Sequence, residues 1–131
     1  MSISERARAG VTELTPPVYG RIVSNEDVAK ALDWLRDSAA LLGETAEAAM
    51  NSTNLVKHTE AVLFLASDEK SAEARKADAR CQQRWLEATA EEGKAHGELV
   101  KLKALREAAS AKIEAWRSQE STRRAEGKAW A

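Results

Sequence analysis

A single cysteine, two prolines, one phenylalanine and one tyrosine are all that these four residue types contribute to a chain of 131 residues. With only Cys81, no disulfide forms within the chain, and a reducing compartment is the simplest expectation. Both prolines, Pro16 and Pro17, fall near the start, so nothing of that kind breaks the remaining hundred-odd residues. Scarce aromatic side chains leave little for a thick globular core. The longest apolar run, Ala61 to Ala66, has six residues. That falls far short of the roughly 20 that a membrane-spanning helix needs. The opening stretch MSISERARAG has no apolar centre of the signal-peptide kind. We therefore expect a soluble, intracellular protein with no membrane partner.

What is present favours helix. Hydrophobic residues make up 44% of the chain, many of them alanine, and charged residues 31%. Alanine favours helix and permits close packing, but it buries little surface. This composition suits long helices packed side by side.

Residues 1–23 read as an extended N-terminal arm. Gly10, Pro16, Pro17 and Gly20 oppose regular structure there, and Val18, Tyr19, Ile22 and Val23 need a surface to cover. Ser24 and Asp27 then form a capping box that opens a helix over about 25–66. Its apolar positions alternate by three and four: Leu32, Leu35, Ala39, Leu42, Ala46, Ala49, Val56 and Leu63. A second stripe, Leu55, Val62 and Ala66, starts beside it. The polar stretch 67–71 is the expected reversal, with either of its serines able to cap the next helix.

A second helix is expected over about 72–125. Its seam reads Cys81, Trp85, Ala88, Glu92, Ala95, Leu99, Leu102, Arg106, Ala109, Ile113 and Trp116. Gly93 and Gly97 interrupt it, each costing about 1 kcal/mol against alanine in a helix interior. They predict either a break at 93–97 or a close helix crossing. The expected fold is all-α: a long helical hairpin or antiparallel coiled coil over 24–131 that self-associates. Leu32, Leu35, Leu42, Val56, Leu63, Trp85, Leu99, Leu102, Ile113 and Trp116 are the expected packing and oligomer contacts.

Catalytic chemistry has no foothold in this pattern. His58 and His96 stand alone, without partners at metal-ligand spacing. No phosphate-cradling glycine loop exists and no nucleophile arrangement can be proposed. We expect no catalytic residue, no metal, no cofactor and no enzyme.

Charge is unevenly placed although it nets −1. Residues 25–66 carry seven acidic and three basic side chains, whereas residues 99–131 carry eight basic and four acidic. Two readings fit: antiparallel helices that attract each other, or a basic end that binds an anionic partner. On the second reading Lys101, Lys103, Arg106, Arg117, Arg123 and Arg124 neutralise phosphates while Trp116, with Trp130, stacks on bases. On the first, Trp116 is core and the arginines pair with Asp27, Asp33 and Asp37.

The stretch LREAASAKIEAWRSQESTRRAE, Leu105 to Glu126, resembles the C-terminal helix of small helical proteins from tailed-phage early regions. These are encoded among recombination and replication genes. The general plan is also similar to phage recombination mediators, which form rings and bind single-stranded DNA. The resemblance implies an oligomeric accessory protein in the cytoplasm of an infected bacterium. Its expected partners are single-stranded DNA and a phage recombinase or host protein. Two other expectations stand beside it. One is an inhibitor or adaptor directed at a host nuclease or defence complex, with Asp27, Asp33, Asp37, Glu44 and Glu47 mimicking phosphates. The other is a structural coiled coil of the particle.

Overall fold

Ser24 starts the first helix in the way its side chain dictates. Its Oγ accepts from the Asp27 amide at 3.1 Å, and the Asp27 carboxylate accepts from the Ser24 amide at 3.1 Å. Two amides that the helix itself leaves unpaired are thereby satisfied. The computed structural model describes residues 22–130, and the expected N-terminal arm lies, up to residue 21, outside the described residues. It is all-α. The helices are α1 (Asn25–Asp37), α2 (Ala39–Ala66), α3 (Ala72–Cys81) and α4 (Gln83–Trp130). They take up 91% of the described residues, which contain no strand.

Ser38 alone separates α1 from α2, and its backbone stays near the helical region at φ −84°, ψ −4°. Helix α2 continues through Asn51 to Asn54 without interruption. Residues 67–71 are non-helical, and Ser71 caps α3 by accepting from the Ala74 amide. One break has no counterpart in the expected hairpin. Gln82 turns extended, at φ −74°, ψ 143°, and divides α3 from α4. The break expected at Gly93 to Gly97 does not occur, because α4 continues through both glycines. A close crossing is absent as well among the described residues, since a Cβ at either glycine would meet nothing within 4 Å.

The described chain forms two compact units. Residues 22–42 and 101–130 make one, residues 43–100 the other. In the first, Ala31, Trp34, Leu41, Leu102 and Ala109 are buried together, with Leu35, Leu42, Leu105 and Ile113 packed around them. The helices run antiparallel there: Val23 meets Gln119, Asn25 meets Trp116, and Leu35 meets Arg106. In the second, α2 meets α3 through Glu60 with Arg80 and α4 through Thr53 with His96, and Ser67, just past the end of α2, bonds to Asp78 of α3. The two contacts with α3 run antiparallel. The buried residues of this unit are only Ala49, Thr59, Ala79 and Ala88.

The seam of α4 faces inward as its spacing predicts, from Trp85 and Ala88 through Leu99 and Leu102 to Ile113 and Trp116. Cys81 is the exception, and it is exposed. It ends α3, and the extended Gln82 resets the helical phase after it.

On the N-terminal side half of the expected seam is displaced by one residue. Leu35, Leu42, Val56 and Leu63 are partly buried and Ala49 is buried, but Leu32 is 53% exposed and Ala39 is also exposed. The alternate inward positions are Ala31, Ser38, Thr45, Ser52 and Thr59, seven residues apart. Small and hydroxyl side chains therefore occupy one column of this seam. Such hydroxyls are tolerated where they can bond back to the preceding turn. Ser38 Oγ donates to the Leu35 carbonyl at 3.4 Å, and Ser52 Oγ to the Ala49 carbonyl at 2.7 Å.

Candidate nucleic-acid interface

The basic end of α4 packs on α1 within the first unit, and that packing sorts its side chains. Leu102, Leu105, Ala109 and Ile113 turn into the core. Two of the expected anion-binding residues turn with them. The Arg106 guanidinium donates to the Leu35 carbonyl at 2.9 Å and to Ser38 Oγ. Ser38 is fully buried, so this arginine serves the join between α1 and α2. The Trp116 indole N–H donates to Asn25 Oδ1 at 2.8 Å, and the side chain is half-buried. Its packing is that of a core-edge tryptophan. The side chain of Trp130 lies outside the described part of the chain.

The other five stay exposed: Lys101, Lys103, Arg117, Arg123 and Arg124. They do not share one face. At about 100° per residue, a step of 11 residues drifts by only about 20°. Lys101, Lys112 and Arg123 therefore lie on one edge of α4. Lys103, Arg117 and Arg124 lie within about 60° of one another on the other edge. The packed face runs between the two rows. Lys112 belongs to the first row by this spacing, although only the 11-residue interval could have revealed it.

Acidic neighbours temper both rows. Arg117 pairs with Glu114 at 3.0 Å, and Arg123 with Glu120 at 3.3 Å, each one turn along the same helix. Among the described residues no ion pair joins these arginines to Asp33 or Asp37. Arg36 takes Asp33 and Asp37, and Asp27 serves the capping box. Exposed one-turn pairs of this kind are worth a few tenths of a kcal/mol, about 0.3–0.5. A phosphate can displace the carboxylate at little cost.

One anchoring contact was invisible in the sequence. The Gln119 side chain pairs with the Val23 backbone, accepting from its amide at 3.1 Å and donating to its carbonyl at 2.9 Å. It fixes the residues just before α1 against α4. Nothing in the sequence separates Gln119 from any other polar residue of the tail.

Metal chemistry finds no cluster here. Among the described residues no three His, Cys, Asp or Glu side chains come together. His96 is hydrogen-bonded to Thr53 at 2.7 Å, and His58 is exposed. No helix among the described residues is long and apolar enough to cross a membrane. Comparison with protein families, with curated proteins and with solved structures returns no match to this chain.

Proposed function

We propose that this chain is a non-catalytic accessory protein of DNA recombination or replication, of the phage kind that its C-terminal segment resembles, and that it binds single-stranded DNA along α4. The supporting observation is the pair of basic rows, Lys101–Lys112–Arg123 and Lys103–Arg117–Arg124, on either side of the packed face. Every member is exposed except the half-buried Lys112. Cations in rows along a helix suit a flexible phosphate backbone, because each contact releases a counterion without demanding base identity. Trp116 contributes by holding α4 to α1, since its ring edge is already engaged.

The rival reading, an inhibitor whose acidic arm mimics phosphates, draws less from the fold. Asp27 and Asp37 are half-buried, one in the capping box and the other beside Arg36, so of the three only Asp33 stands exposed. The test is the salt dependence of binding to a fluorescent single-stranded oligonucleotide. Replacing Arg117, Arg123 and Arg124 by alanine together should reduce the slope of log K against log salt by about 2, at roughly 0.7 per phosphate contact. An unchanged slope removes these arginines from the interface. No binding at any salt concentration turns attention to a protein partner.

A further inference from the structure

The second unit exposes a row of residues on α4 that nothing in the described chain covers. Leu86, Ala90, Gly93, Gly97 and Val100 succeed one another at intervals of four, three, four and three. That is the spacing of a packing seam. All five are exposed, Leu86 at 48% and Val100 at 66%. It is a second seam, separate from the inward one through Trp85, Ala88, Ala95 and Leu99.

Two independent observations give this face a meaning. The first is the poverty of the unit's interior. Its fully buried residues are three alanines and a threonine; Val56, Leu63, Trp85 and Leu99 are only partly buried, and Met50, Leu55, Val62, Leu65, Leu86 and Val100 stay more than a third exposed. Three helical segments with so little fully buried apolar surface are marginal on their own. The second is the glycine pair. A glycine inside a helix lowers its stability against alanine, and here no turn or neighbouring backbone requires it. A Cβ at Gly93 or Gly97 would stand in open space. Glycines four residues apart on an apolar helix face allow another helix backbone to approach closely.

We infer that this face of α4 is the contact site for a second copy of the same chain, crossing at Gly93 and Gly97. The row is self-complementary. When two copies run antiparallel about the midpoint of the glycines, Gly93 faces Gly97 and the small Ala90 faces the larger Val100. A two-fold contact needs such a match of the surface with itself. A single helix crossing buries less than the roughly 800 Å² per partner of a standard interface. Association should therefore depend on concentration.

The glycines make the test sharp, because the two accounts predict opposite signs. Mass is measured by light scattering and sedimentation across a hundredfold range of concentration, without DNA. The wild type should rise from one chain toward two. The double variant G93A/G97A, which favours helix by propensity and so cannot fail by unfolding, should move that transition at least tenfold higher in concentration. L86E/V100E should abolish it. A wild type that stays at one chain throughout overturns the inference, whatever else the face binds. So does a G93A/G97A variant that keeps the wild-type mass and melts at a higher temperature. If L55E/V62E removes association and G93A/G97A does not, the contact lies on α2 and the assignment to α4 is wrong.

Discussion

The two units meet the same problem with different materials. The unit of residues 22–42 and 101–130 buries Val28, Trp34, Leu41 and Leu102, and it closes its polar gaps with Arg106, Gln119 and Trp116. The unit of residues 43–100 fully buries only alanine and threonine; Val56, Leu63, Trp85 and Leu99 are partly buried, and Met50, Leu55, Val62, Leu65, Leu86 and Val100 are exposed. Polar contacts add to its cohesion, among them Glu60 with Arg80, Ser67 with Asp78, and Arg75 over the Phe64 ring at 5.9 Å. Surface ion pairs contribute about 0–1 kcal/mol each, whereas a buried large apolar side chain contributes about 1.5–3 kcal/mol. The first unit has a core of large apolar side chains, and the second is the one to which we assign a contact with another copy.

The largest blow to this contrast is Trp34→Ala. It removes the biggest side chain of the first core and should cost about 3–5 kcal/mol in chemical denaturation. A loss under about 1 kcal/mol would mean that the first unit is no better filled than the second. Next comes Arg106→Ala, which removes the donor to buried Ser38 Oγ and one of two side-chain donors to the Leu35 carbonyl. We expect a loss of about 1–2 kcal/mol, toned down by the partial exposure of the arginine. The salt slope of DNA binding should stay at the wild-type value. A changed slope with unchanged stability would return Arg106 to the phosphate-binding rows. Ser24→Ala removes the capping box and should cost about 1 kcal/mol. Faster amide exchange confined to the first turn of α1 would be its signature. The smallest effect belongs to the second unit. Arg80→Ala breaks a surface pair with Glu60 and a contact over the Trp85 ring, and should cost about 0.5–1 kcal/mol. A loss above about 2 kcal/mol there would show that polar contacts hold this unit more firmly than its burial suggests.

Much of the helix plan was legible because capping chemistry is local. Ser24 with Asp27 marks where α1 starts, and the polar run 67–71 marks where α2 gives way to α3. The seam of α4 was also readable, since large apolar residues recur along it. The N-terminal seam was only half readable. Hydropathy favours Leu32 and Ala39 over Ala31 and Ser38, yet the smaller pair lets α4 approach and gives Arg106 its acceptor. The break at Gln82 has no Gly or Pro to announce it. It is framed by side-chain contacts: Gln82 with Asp78, and Arg80 over the Trp85 ring at 5.8 Å. The glycines misled for the single chain: among the described residues α4 neither breaks nor is crossed closely at Gly93 and Gly97.

Of the expected interface residues, five are exposed and two are held inward. Lys101, Lys103, Arg117, Arg123 and Arg124 are recognisable from charge alone. Arg106 and Trp116 both fall on the heptad seam of α4, which marked them for packing as well as for the interface, and the position of α1 decides between the two. Long polar side chains at a seam can face either way, since a stem of several carbons packs as well as it extends.

Hydrogen exchange of the full chain, followed at several protein concentrations, tests the central contrast most directly. Amides of α1 and of α4 between Leu102 and Trp116 should exchange at rates that do not depend on concentration. Amides of α2 from Ala49 to Leu63 and of α4 from Leu86 to Val100 should become more protected as concentration rises. Equal protection of the second unit at the lowest concentration would contradict the account, because that unit would then be complete without a partner.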